Sequence, residues 1–126
     1  MTDANGTVMH ALSVRQPFAS MIADGRKTIE IRSRPIRLRG DLLIVSTQKP
    51  VVDDLPCGMA LCVVLIVDCR PMQPSDAKAA FCDYYGANMA WVLGNVRPIK
   101  PFPVHGKLGI YPVEFPTPLQ FLRHPA

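Results

Sequence analysis

The sequence contains no apolar run long enough to cross a bilayer as a helix. Its longest, "MALCVVLIV" at 59–67, falls far short of the ~20 residues required, so no membrane partner is expected. The opening "MTDANGTVMH" has neither a basic start nor an apolar segment, so no secretory signal is expected and the expected location is cytoplasmic. No C-x-x-C pair occurs among Cys57, Cys62, Cys69 and Cys82, and two of the four fall in an apolar, strand-like run. Reduced, buried thiols are the reading. His10, His105 and His124 are scattered without ligand spacing, so no metal site and no cofactor are expected. Charged residues are scarce at 19% against 48% hydrophobic, which excludes a disordered chain. Internal repeats and low-complexity segments are missing too.

A general basic surplus is also missing, and that makes one segment conspicuous. "GRKTIEIRSRPIRLRG" (25–40) holds six basic side chains from Arg26 to Arg39 around the single acid Glu30. The window carries net +5 and the whole chain only +4, so the remainder is close to neutral. A positive field with one focus points to an anionic partner.

At 126 residues the chain is expected to form one domain over 1–126, with a core at about 8–115 and a proline-rich C-terminal tail. "VMHALSV" (8–14) reads as a first strand. "RQPFASMIADG" reads as a short helix, with Phe18, Met21 and Ile22 on one face and Gly25 ending it. "KTIEIRS" (27–33) alternates, while "DLLIVST" (41–47) is apolar on both faces and is expected to be central. "GMALCVVLIVDC" (58–69) reads as a buried strand. Ser75 is expected to cap a helix over "DAKAAFCDYYG", with Ala77, Ala80, Phe81 and Tyr84 as its apolar stripe and Gly86 as its end. "MAWVLGNV" (89–96) and "KLGIYPVEF" (107–115) complete the strands, and the 13 prolines punctuate edge strands and loops. The expected fold is mainly β (α+β), a small β-barrel of five or six strands with two or three short helices.

These residues resemble the ASCH family, part of the PUA-like fold. The family signature Gly-x-Lys-x-x-Glu-x-Arg stands here as Gly25, Lys27, Glu30 and Arg32. "LSVRQPFA" (12–19) is similar to the entry to the first helix in many members, and "RGDLLIVST" (39–47) to the strand that follows the signature. "AWVLGNVRPI" and "PVHGKLGIY" are similar to the subgroup containing the endothelial-overexpressed lipopolysaccharide-associated factor. The resemblance implies a barrel with a cleft beside the signature, related to domains that bind RNA. Some members resemble amidohydrolases acting on N(4)-acetylcytidine, and others are reported as ribonucleases. Fold resemblance by itself assigns no activity.

The implied ligand is RNA or a nucleotide-like molecule, held by Gln16, Lys27, Glu30, Arg32, Arg34, Arg37 and Arg39. The alternative is a hydrolase on the same cleft with Lys27 and Glu30 as its catalytic groups. Strict strand parity would put Lys27 with Ile29 and Ile31, so an irregularity at the turn is expected to swing it towards Glu30. A structural ion pair at the barrel mouth competes with the functional reading of Glu30. Gln16 has two roles open to it, reading a base edge or bracing the helix start. The amidohydrolase members carry a threonine nucleophile at the position of Glu30, a departure that disfavours their mechanism here. Thr28 and Asp83 are weak substitutes. Trp91 and Tyr84 fall within apolar patterns and are expected in the core rather than against a base.

Overall fold

The structure, a computed structural model, describes residues 8–115 and 118–122. Residues 1–7 of the segment inspected for a signal, and 116–117 and 123–126 of the proline-rich tail, lie outside the described residues. Among the described residues eight elements follow one another: β1 (Val8–Val14), α1 (Phe18–Ala23), β2 (Ile29–Arg32), β3 (Asp41–Ser46), β4 (Met59–Pro71), α2 (Asp76–Ala80), β5 (Met89–Pro103) and β6 (Ile110–Glu114). Among the described residues no helix is long and apolar enough to cross a membrane.

The six strands form one mixed sheet in the order β2-β5-β4-β3-β1-β6. β1 and β3 run parallel, and the other neighbouring pairs among the described residues are antiparallel. Three register shifts along the β4–β5 pair coil these two long strands, as bulges do. β3 has β4 on one side and β1 on the other, with Leu42 and Ile44 in one hydrophobic cluster and Leu43 and Val45 in a second. Both faces are therefore buried, which is why its sequence is apolar without alternation.

The expected mainly β, barrel-like fold is present, with one refinement. Among the described residues the hydrogen-bond ladder does not close, and β2 and β6 are its edges. The curl nevertheless brings β2 to β1: the Arg32 guanidinium donates from Nη2 to the carbonyl of Ser13 at 3.1 Å. β6 pairs with β1 only as far as Leu12, opposite Ile110, and this leaves the Ser13 carbonyl free for Arg32. A side chain spans the seam that a ladder would otherwise fill.

Several element boundaries differ from the sequence expectation. α2 stops at Ala80 because Phe81 turns into the left-handed region at φ 56°, where its N–H and that of Cys82 return to Lys78 and Ala77. Phe81 and Tyr84 are exposed, so the apolar stripe expected through them does not exist. Ser75 makes no capping bond. Asp76 organises that turn instead, accepting the Gln73 N–H and a two-pronged ion pair from Arg70 at 2.7 and 2.8 Å. β5 runs on through "RPIKPFP", since its prolines lie where the neighbouring strand is the irregular end of β4 or the short return at 120–122. β6 is shorter than 107–115, and Leu108 stands fully in solvent.

Candidate ligand cavity at the seam of the sheet

The signature begins where α1 unwinds. Gly25 has φ 87°, a conformation that side-chain-bearing residues rarely adopt, and the N–H groups of Arg26 and Lys27 both return to the carbonyl of Met21. This tight exit keeps Lys27 out of β2, which starts only at Ile29, so strand parity does not govern its direction. The ammonium turns inward and is 5% exposed. Its Nζ donates to the carbonyls of Ile29 and Ala80, each at 2.7 Å, and lies 3.3 Å from Glu30 Oε1. Three acceptors occupy the three donors of an ammonium. Nζ also lies 5.7 Å from the centre of the Phe18 ring.

Glu30 is held from both sides. Its second oxygen, Oε2, accepts from Arg32 Nε at 2.8 Å and sits 2.8 Å from Arg32 Nη2. Lys27 and Glu30 thus meet as the irregular turn requires, and Arg32 completes a charged row with net +1. Buried charges persist only when paired in this manner. With Nε on Glu30 and Nη2 on Glu30 and Ser13, Arg32 Nη1 meets no protein acceptor among the described residues.

A cavity of about 410 Å³ opens on this row between β1 and β2. Its walls come from the end of β1 (Ser13, Val14) and the following Arg15, from Phe18 of α1, and from Ala80, Phe81 and Cys82 at the exit of α2. Arg15 is exposed at its rim, with no ion pair among the described residues. Sequence reasoning passed over Arg15 and Phe81. Arg15 stands between the strand and the Gln-Pro entry to α1, outside the basic window, and only the curl of the sheet brings it there.

The other expected site residues lie elsewhere. Gln16 is 2% exposed and braces the helix start: its Oε1 accepts the Ser20 N–H, and its Nε2 donates to Ser20 Oγ and the Pro56 carbonyl. No base edge can reach it in this arrangement. Arg34, Arg37 and Arg39 are exposed on the strap between β2 and β3 and do not line the cavity. The strap is fastened by buried Ile36, by the Trp91 indole N–H on the Arg34 carbonyl, and by Arg39 on the Ile36 carbonyl. Trp91 is therefore core, as its pattern predicts, whereas Tyr84 is exposed. Arg26 pairs with Asp24, whose carboxyl is held below its ordinary range by the guanidinium's hydrogen bond. Thr28 and Asp83 lie outside the lining of this cavity. Among the described residues no cluster of three histidines, cysteines or carboxylates has metal-site geometry.

The class so defined is a small curled β-sheet domain with a ligand-sized, positively charged cavity at an unclosed seam. A model of the ASCH domain matches residues 12–103, and the chain belongs to the ASCH domain family. Among solved structures it is similar to the ASCH protein of Zymomonas mobilis, at 18% identity and a TM-score of 0.62 over 90% of this chain and 87% of that one. Two point mutants of the same protein match with TM-scores of 0.62 at 18% and 19% identity, covering 90% of this chain and 89% and 87% of theirs. These likenesses establish a common fold. No curated protein matches in sequence.

Proposed function

We propose that the seam cavity binds RNA or a nucleotide-like ligand. One observation carries this reading: a cavity of about 410 Å³ places Arg15 and Arg32 beside Phe18 and Phe81. The size falls within the range of small-ligand pockets, and cations next to aromatic rings suit a phosphate joined to a base. Glu30 and the Ser13 carbonyl fix Arg32 in one orientation, so its remaining N–H groups, both on Nη1, are held in place to donate to a phosphate oxygen. The exposed arginines at 34, 37 and 39, on the strap that leaves β2 after Arg32, add a diffuse positive field that would attract a polyanion.

A hydrolase on the same cavity ranks second. Its catalytic pair would be Lys27 and Glu30, yet the ammonium has its three acceptors within the protein and the carboxylate binds two cations. Both groups are already engaged within the protein, which ranks this reading below ligand binding.

Calorimetric titration with nucleoside monophosphates, and anisotropy with labelled single-stranded RNA, tests the proposal. Arg15→Gln is expected to weaken both about tenfold without changing thermal stability, because the exposed side chain contributes little to folding. Absence of binding at low salt by the folded protein would overturn it.

A further inference from the structure

Phe81 combines two features that seldom occur together. Its φ of 56° is unfavourable for a bulky side chain, and the residue is 44% exposed. The two N–H bonds that close α2 offset part of the strain, but core packing does not, and an exposed bulky residue held in this conformation is the kind of position where function concentrates. Phe81 also lies on the boundary of two concavities. It lines the seam cavity with Arg15 and Arg32, and with Cys82 it lines a shallow outer depression completed by Ala77, Lys78, Asp83 and Tyr85. Tyr85 is 55% exposed, so a second ring stands on the outer side.

We propose that Phe81 and Tyr85 form a second base-stacking position, contiguous with the cavity. The ligand is then a single strand of at least two nucleotides rather than a free nucleotide. One base enters the seam and its neighbour lies on the outer rings. Stacking on aromatic faces is how proteins hold unpaired bases with little sequence preference. Lys78 supplies a cation for the linking phosphate, while Asp83, in the same depression, disfavours close phosphate approach on its own side. The strand therefore runs past Lys78. This inference rests on the cavity binding a nucleotide, and adds the length and strandedness of the ligand.

Three probes separate the two ideas: uridine monophosphate, a single-stranded oligouridylate of about ten residues, and an abasic strand of equal length. Phe81→Asn retains a residue tolerant of the left-handed turn, so it should fold with equal or greater stability. It is expected to lower oligouridylate affinity about tenfold and to weaken the monophosphate less. Tyr85→Ala should lower oligouridylate affinity by a similar factor and leave monophosphate binding unchanged. Neither variant should alter binding of the abasic strand, which has the charge but no bases. Oligouridylate binding unaffected by both substitutions, alongside intact monophosphate binding, would overturn the second position alone; the rings would then serve another surface such as a peptide. Failure of the wild type to bind either uridine probe would overturn both readings.

Discussion

Arg32 Nη2 stands 3.1 Å from the carbonyl of Ser13, and the two residues come from strands that share no ladder. The same guanidinium holds Glu30, so seam closure and the charge of the cavity floor depend on one side chain. Arg32→Lys keeps the charge and loses the fork. It is expected to lower stability by about 1–2 kcal/mol, since one ammonium cannot serve both acceptors with the same geometry. Urea denaturation measures the loss, and nucleotide titration should fall in parallel. Unchanged stability would mean that the seam bond contributes nothing.

Glu30→Gln leaves Lys27 and Arg32 facing each other without an anion. Breaking a buried pair by removing one partner costs roughly 3–5 kcal/mol, and the partly exposed Arg32 places this site at the lower end. Lys27→Met combined with Glu30→Gln should cost less than the sum of the two single changes. A double-mutant cycle by chemical denaturation gives the coupling, and simple additivity would contradict the ion-pair geometry.

The pH dependence should trace to α2. Hydrogen bonding from Arg70 holds the Asp76 carboxyl below its ordinary value of 3.8. A depressed folded-state value means that this stabilisation is present above the unfolded value and disappears as pH falls through the folded one. Asp76→Asn should therefore be less stable than the wild type at about pH 6, with the difference shrinking progressively below about pH 4. Denaturation midpoints across that interval check the sign. A difference that grew on acidification would refute it.

The exposed strap predicts a salt effect without a stability effect. Single strands lose affinity with a slope of ~0.7 per phosphate contact, so replacing Arg34 and Arg37 with Gln should flatten log K against log salt by roughly one unit. The melting temperature should stay within about a degree or two, because both side chains are exposed. Base preference should persist, as phosphate contacts position a strand without reading it.

Cys62 offers a reporter of global opening. Burial pushes its thiol up to about 12, and its relative exposure is 0%. Thiol reagents at about pH 8 should label Cys57, Cys69 and Cys82, which are partly exposed, well before Cys62. Labelling of Cys62 should accelerate only in denaturant.

The strands whose patterns report burial directly were legible in the sequence. β3 is apolar on both faces because both are covered, whereas β2 alternates in sequence although Ile29 and Glu30 are both buried, because its polar face lines the charged cavity. The Gly25-to-Arg32 spacing likewise announced a turn that returns Lys27 to Glu30. What could not be read were effects of closure. Arg15 joins the cavity through the curl of the sheet, and Arg34, Arg37 and Arg39 miss it because Ile36 draws the strap on to the core. The stripe of Ala77, Ala80, Phe81 and Tyr84 has perfect helical spacing, but only Ala77 and Ala80 pack on the sheet while Phe81 and Tyr84 face solvent, so periodicity overstated α2.

Lys27 has a dynamic consequence beyond its place beside the cavity. Its ammonium joins the carbonyl of Ile29 to that of Ala80, while the Thr28 N–H binds Ala79 alongside. The exit of α2 therefore cannot detach without taking one of its three acceptors from a buried cation at the start of β2. Amide protons of the two segments should exchange with solvent as one cooperative unit, although some fifty residues separate them in the chain. A ligand that favours the closed seam would slow exchange at both together, and would thereby report on the cavity from amides it never touches.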